Sequence, residues 1–352
     1  MLSLNCPINK LSYGGVSTNI LRELYKLDSS ISLFPIGKVD FEKDDEKFVL
    51  ATLQNSNLWN KYKPSLKIFH QNLLAEHPIS SKRIAFPIFE LDTFTKIEKH
   101  NLNSQDEIFV CSRWAKDIIE NNNINVPCKV IPFGVNKEIF HYKKNNINRG
   151  KVVFLNIGKW EKRKGHDLLA KAFYEVFFDT HDVELWMMPT NHFINNDIEN
   201  KWIDYYKSNL GDKVKIIGQL DSQKHIADII NKSDIGVYPF RSEGWGLPIT
   251  ETLACGKRII ATNYSGPTEY LNKENATLID PSGLEYAVDN VFFNGEGLWA
   301  ELGETYYRTF CEALRSEYEL VKKNGKQINN FGLITSGEYT WKNTAMRIKN
   351  NI

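Results

Sequence analysis

The sequence predicts an α/β protein of two Rossmann-like, doubly wound domains facing each other across a cleft, and three observations predict it. Short apolar runs alternate with amphipathic helical runs along the chain, the pattern of parallel sheets covered by helices on both faces. The apolar runs fall into two sets, separated by FHYKKNNINRGK, a polar, basic, asparagine-rich stretch that reads as a linker. With 352 residues, 42% of them hydrophobic, the chain can bury two cores of ordinary domain size.

The first set of strands is expected at LSLNC, SLFPI, LKIFH, RIAFPIF, EIFVC and CKVIPF, with helices at VSTNILRELYKL and WAKDIIENN. The second is expected at KVVFLNIG, VELWMM, VKIIG, IGVYPF, KRIIAT and ATLID, with helices at DLLAKAFYEVF and KHIADIINKS. A boundary near residues 141 to 150 gives an N-terminal domain over 1–145 and a C-terminal domain over 151–330. The remaining 331–352 ends in WKNTAMRIKNN, an amphipathic helix expected to pack back on the first domain.

A formal net charge of +1 provides no global field to gather nucleic acid or anionic lipid. Basic residues do cluster near the linker, at Lys137, Lys143, Lys144, Arg149 and Lys151, and are the one feature that raises DNA as a partner; a solvated surface is the commoner explanation of such a cluster. Five dispersed cysteines without a CxxC pair suggest neither a zinc site nor a disulfide framework, and point to a reducing compartment. MLSLNCPINK lacks the features of a signal peptide and no segment is apolar enough to span a bilayer. A cytoplasmic location is expected, with peripheral membrane contact left open.

In open α/β sheets ligands collect beyond the carboxyl ends of the strands, and three such loops stand out. In EGWGLPITE a turn joins the strand IGVYPF to a helix that opens with proline and closes before glycine. Its glycines admit a ligand close to backbone, and the first helical amides are donors with a favourable dipole. Two carboxylates there would repel a phosphate, so Glu243 and Glu251 fit better as acceptors for vicinal hydroxyls such as those of a sugar. The plainer reading gives Glu251 to the helix dipole and leaves Glu243 solvated. In NIGKWEKRKGHDLLAKAF a basic turn lies between a strand and a helix that opens on glycine. Lys159 and Lys164 are candidates for a diphosphate, whereas Lys162 and Arg163 are expected to point outward. GxxxxGK[ST] and GxGxxG are both missing, against an ATPase or a dehydrogenase. In SYGGVSTNILREL, Gly14 and Gly15 form a turn between the first strand and its helix.

Taken together, YGGVSTNI, CSRWAKDII, VIPFGVNKEIF, IGKWEKRKGHDLLAKAF and SEGWGLPITETLACGKRIIATNYSGPTEYL resemble family 4 of the glycosyltransferases, retaining enzymes of the GT-B fold. The resemblance covers most of the chain and is dense from 106 to 281. It implies a hexosyl- or pentosyltransferase whose first domain is the acceptor side and whose second binds a nucleotide sugar. Glu243 and Glu251 match the E-x7-E pair: the first glutamate, with Gly244, Trp245, Gly246 and Leu247 after it, holds the donor sugar, and the second holds the ribose. Lys159 and Lys164 match the basic pair on the diphosphate, with lysine where arginine is commoner, which keeps the charge and loses the planar fork. Gly14 and Gly15 match the loop that approaches the diphosphate, and Gln219 and Leu220 the backbone that contacts the base. Many relatives carry a histidine at the end of the strand that here reads RIAFPIFELD; this chain offers Glu90, with His70 second, as a carboxylate or imidazole for a substrate hydroxyl. Pairing of Glu90 with Arg83 or Lys82 is the structural alternative.

No DxD occurs, and no metal or other cofactor is expected, the nucleotide sugar being a co-substrate. A glycan or lipid-linked glycan is the default acceptor, a modified DNA base the minor one. A GT-B phosphorylase, an epimerase and a non-catalytic nucleotide-sugar-binding subunit are the competing readings.

Overall fold

The structure, a computed structural model, describes residues 2–144, 150–220, 222–325 and 327–352. The chain divides into two compact units, 1–136 with 338–352 and 137–337.

In the first unit the strands are β1 (Ser3–Cys6), β2 (Ser32–Pro35), β3 (Ser65–Lys67), β4 (Arg83–Ala85), β5 (Glu107–Val110) and β6 (Cys128–Val130). They form one sheet in the order β2-β1-β3-β4-β5-β6, and every pairing is parallel. The helices α1 (Ser12–Leu27), α2 (Glu46–Gln54), α3 (Lys96–Asn103) and α4 (Arg113–Asn121) connect them. The strands are near-continuous apolar runs because both faces are covered: Leu4, Leu66, Ile84 and Phe109 are fully buried. Two helices start where the sequence supplies a cap. Thr95 and Glu98 make a reciprocal capping box on α3, and Ser112 accepts from the Ala115 amide on α4.

In the second unit the strands are β7 (Val152–Ile157), β8 (Val183–Met188), β9 (Val214–Ile216), β10 (Ile235–Tyr238), β11 (Arg258–Thr262) and β12 (Thr277–Ile279). Their order is β12-β11-β10-β7-β8-β9, again wholly parallel. The helices are α5 (His166–Phe177), α6 (Asn196–Leu210), α7 (Gln223–Lys232), α8 (Leu247–Ala254), α9 (Glu304–Asn324) and α10 (Asn330–Glu338). Phe154, Phe173, Phe177, Tyr206, Tyr306 and Phe310 form an aromatic core between β7, α5, α6 and α9.

All twelve expected strands form. The antiparallel hairpin β13 (Gly283–Val288) and β14 (Asn294–Glu301) is an addition to them. Trp299 anchors it, fully buried, with its indole N–H on Glu285 at 2.9 Å.

The compact units part at a different place from the expected boundary. The chain changes unit at Asn136/Lys137, ahead of the expected 141 to 150. The described start of the linker stretch is tied to the second unit: the Asn231 side chain donates to the His141 carbonyl at 3.0 Å and accepts from the Lys143 amide at 2.9 Å. Residues 145–149, at the heart of the expected linker, lie outside the described residues. The tail from 331 is likewise divided. Asn329 donates to the carbonyls of Lys257 and Asn275, at 3.0 and 2.7 Å, which keeps most of α10 with the second unit. The closing helix α11 (Trp341–Asn351) belongs to the first unit, packed on α1. Thr344 donates to the Pro132 carbonyl at 2.8 Å, and Trp341 meets Phe133 at 5.8 Å.

Candidate functional site

In the second unit the strand order reverses direction between β7 and β10, and a doubly wound sheet opens its ligand crevice at such a switch point. The two loops that leave this point are 158–165 after β7 and 239–246 after β10, and they carry the two glutamate- and lysine-bearing motifs.

Aromatic packing shapes the first loop. Trp160 is buried and stacks on Trp202 at 5.8 Å. His166 is fully buried, and its Nε2–H donates to the Lys159 carbonyl at 2.7 Å. Burial pushes this imidazole down to about 4, so it stays neutral and serves the loop's shape. Gly165 closes the loop at φ +73°, and a Cβ there would collide with the Pro239 carbonyl. The two loops therefore touch backbone to backbone. The Arg241 amide donates to the Arg163 carbonyl at 2.7 Å, and the Arg241 guanidinium holds the Lys162 carbonyl at 2.7 Å and both Asp167 oxygens at 2.9 Å.

The second loop is held from its other side by Ser265–Tyr270. The Glu243 amide donates to Ser265 Oγ at 2.9 Å and the Gly266 amide to the Glu243 carbonyl at 2.9 Å. A Cβ on Gly266 would strike the Gly244 carbonyl, so only glycine permits this approach. Trp245 is buried against Tyr270 at 4.7 Å, and the Tyr270 hydroxyl donates to the Trp245 carbonyl at 2.6 Å. Gly246 turns the chain into α8 at φ +79°, with proline in the first helical turn. The Gly246 and Leu247 amides meet no acceptor among the described residues.

Charge is concentrated where the loops meet. Glu243, 8% exposed, is paired through Oε1 with Lys164 Nζ and through Oε2 with Arg163 at 3.4 Å. Arg163 also bonds Glu161 at 2.8 Å and the Ser242 carbonyl at 2.7 Å. Burial alone would raise the Glu243 carboxyl, but Lys164 and Arg163 outweigh it and hold the group below its ordinary range, ionised. Glu251, in the second turn of α8, is half-buried, and its carboxylate has no hydrogen-bond or ion-pair partner among the described residues. Burial pushes it up to about 7. The pair thus holds one carboxylate fixed by cations and one that titrates near neutrality.

Two expectations for the basic turn are corrected. Arg163 is buried at the centre of the ion pairs, and Lys162 is half-buried and donates to the Val288 carbonyl at 3.1 Å. Neither points outward, because the β13–β14 hairpin and the β10 loop pack over the turn. Lys164 runs along Gly158, where a Cβ would come within 3.4 Å of its stem, and Lys159 Nζ lies 4.5 Å over the Phe193 ring. Gln219 is exposed and Leu220 half-buried in the irregular segment after β9. Ser265, Tyr270 and Arg163 lie in stretches that carry the resemblance, but their contacts to the 241–246 loop come from residues distant in sequence.

The linker-proximal basic residues are also accounted for. Lys137 donates to Ser336 at 2.8 Å, Lys143 pairs with Asp228 at 2.8 Å and Lys151 with Glu184 at 2.8 Å; Lys144 is exposed and Arg149 lies outside the described residues. Two of the five thus face carboxylates, and Lys137 a neutral hydroxyl.

In the first unit the reversal lies between β1 and β3. Gly14 and Gly15 do not form a turn ahead of α1, as expected, but lie inside its first turn, since the helix begins at Ser12. They do different work. A Cβ on Gly14 would collide with the Asn9 backbone, whereas Gly15 has open space around it. Tyr13, beside the glycine pair in the same turn, organises the neighbours. Its hydroxyl donates to the Ile88 carbonyl at 2.7 Å and accepts from the Ile88 amide at 3.1 Å, and its ring meets His70 at 4.5 Å. Burial, with the Glu90 charge second, pushes the phenol well above its ordinary value. The first turn of α1, His70 and the 88–90 segment are thereby gathered at one place. His70 is exposed, beyond the end of β3, and Glu90 is half-buried, beyond the end of β4. Lys82 and Arg83, the partners considered for Glu90, pair with Glu107 at 2.7 Å and Asp106 at 3.8 Å.

Among the described residues no group of three or more His, Cys, Asp or Glu could hold a metal ion, and no helix is long and apolar enough to cross a membrane.

Comparison with known proteins agrees with this architecture. Residues 137–291 match the family model for glycosyl transferases group 1. An uncharacterized glycosyltransferase of Methanocaldococcus jannaschii is 28% identical over 213 residues, 58% of this chain and 55% of that protein, so the match spans about half of that relative. A protein of Sulfolobus islandicus filamentous virus, named as glycosyltransferase 45, is 21% identical over 95% of this chain and 89% of its own length. Among solved structures, Anabaena HepE in complex with UDP and glucose superposes with a TM-score of 0.72 at 15% identity, covering 100% of this chain and 99% of that one. The fold is therefore GT-B, and residues 137–291 are similar to glycosyl transferases group 1.

Proposed function

We propose that this chain is a retaining glycosyltransferase that moves a sugar from a nucleoside diphosphate sugar to a hydroxyl acceptor. The observation that carries the reading is the buried Lys164–Glu243–Arg163 cluster at the β7/β10 switch point, next to the glycine loop that leads to Glu251. The glycosyl transferases group 1 match over the same unit supports it.

In this reading Glu243 accepts hydroxyls of the donor sugar, the Gly244–Leu247 backbone approaches that sugar, and Glu251 accepts from the ribose. Lys164 and Lys159 neutralise the diphosphate. The bond between the anomeric carbon and the phosphate oxygen breaks, with its electrons going to the phosphate. A bond from the same carbon to the acceptor oxygen forms on the same face, and the acceptor proton passes to the departing phosphate. Positive charge brought onto that phosphate stabilises the transition state more than the ground state. These ammonium groups supply the charge a divalent ion would otherwise bring, so no metal is required and EDTA leaves turnover unchanged. Glu90 and His70 are the groups for a substrate hydroxyl in the first unit.

A glycan or lipid-linked glycan is the proposed acceptor. All five cysteines are free, in keeping with a reducing, cytoplasmic setting. A thermal-shift screen over UDP-, GDP- and ADP-sugars, followed by NDP release with the best donor, tests the reading. No shift and no release with any of them would reject it.

A further inference from the structure

We infer that Arg163 is a positioning residue, a buried strut that holds Glu243 in place when Lys164 turns from it to an anionic ligand; the inference rests on the proposed reading of this site. The two cations on Glu243 differ in access. The Lys164 side chain is 15% exposed and ends a flexible stem, whereas the Arg163 side chain is 7% exposed and fixed on partners in both loops. Those partners are the Ser242 carbonyl at 2.7 Å, Glu161 at 2.8 Å and Glu243 at 3.4 Å, so one planar fork spans both ligand loops.

The ligand-free arrangement satisfies Lys164 with the carboxylate that the donor sugar is to meet. An incoming diphosphate competes for this ammonium group. Were Lys164 the only counter-charge, its departure would leave Glu243 buried, ionised and unpaired, a costly state that opposes binding. Arg163 stays behind, keeps Glu243 ionised and oriented, and is itself balanced by Glu161. Lys164 thereby becomes exchangeable. Sequence neighbours in one turn take opposite parts: Lys164 meets the ligand, and Arg163 acts through Glu243 and the 241–246 backbone without touching it.

The test compares Arg163→Met, Arg163→Lys, Glu161→Gln/Arg163→Met and Lys164→Met. Amide hydrogen exchange of 241–246 is measured without ligand, and calorimetric affinity is measured for inorganic pyrophosphate and UDP. Arg163→Met is expected to speed exchange in 241–246 and to weaken both ligands by about ten-fold, with β7 and β8 still protected. Arg163→Lys rescues in part, since one ammonium cannot span three acceptors. Lys164→Met abolishes pyrophosphate binding yet leaves exchange in 241–246 close to wild type. Should Arg163→Met not fold, the double variant, which leaves no unpaired Glu161, takes its place in both measurements. Wild-type exchange and affinities in a folded Arg163 variant overturn the inference. Failure of the wild-type chain to bind pyrophosphate, UDP or any nucleotide sugar rejects the proposed function instead, and exchange in the ligand-free variants still decides whether Arg163 braces the loop.

Discussion

The two switch points of this molecule solve one topological problem with different chemistry. In the second unit the loops after β7 and β10 are welded by buried ion pairs, with Arg163 and Arg241 each reaching across from one loop to the other. In the first, the turn of α1 and the 88–90 segment are joined by a neutral phenol, Tyr13, next to an exposed imidazole and a half-buried carboxylate. Preorganised charge suits a fixed anionic group whose charge grows during reaction. A neutral anchor with open space at Gly15 suits a partner whose shape the fold does not dictate.

Breaking the charged half should have the largest effect. Lys164→Ala is expected to lower turnover by roughly 10²–10³-fold, as loss of a charge that meets the departing phosphate does, read by NDP release at saturating donor. Equal turnover in the variant would strip the ion-pair cluster of its proposed role. In the neutral half, Gly14→Ala should destabilise by about 2–4 kcal/mol, since the new Cβ meets the Asn9 backbone. Gly15→Ala at an open helical position should instead gain up to about 1 kcal/mol. Urea titration of the pair checks this contrast, and equal stabilities would contradict the division of labour.

Glu251→Gln sharpens the comparison through pH. The folded carboxyl titrates near 7 against an ordinary 4.5. The stability it lends is thus fully present below 4.5 and is lost as pH rises through 7. The glutamine variant should match wild type at pH 4 and exceed it by about 1–3 kcal/mol at pH 8, a range discounted for partial exposure. A difference that does not change with pH would exclude a titrating Glu251. Donor affinity should move the opposite way, falling with the loss of the carboxylate. The smallest effect is expected for Tyr13→Phe, which removes the hydroxyl bonded to Ile88 and should cost about 1 kcal/mol in thermal unfolding.

Local pattern makes much of this legible. Each expected strand is a short apolar run bounded by polar residues, and the Pro-to-Gly frame around PITETLACG marks α8 because those residues act through their own backbone. The β13–β14 hairpin carries no such mark. Arg241 holds it, bonding Glu285 at 2.9 Å from 44 positions away and facing the Trp299 ring at 5.9 Å, and nothing local announces either contact. The outward orientation expected of Arg163 fails for the same reason. Its turn is basic and reads as solvated, while its partners Ser242 and Glu243 lie 79 and 80 positions away.

By itself the sequence determined the two parallel sheets, the loops that leave them and the residue types those loops carry, because periodicity, prolines and glycines act within a few residues of where they stand. Tertiary structure decided which way each side chain of the basic turn faces, which cation holds Glu243, and where the chain passes from one unit to the other. Those outcomes depend on burial and on the balance of charge among groups distant in sequence, and neither exists until the chain has folded.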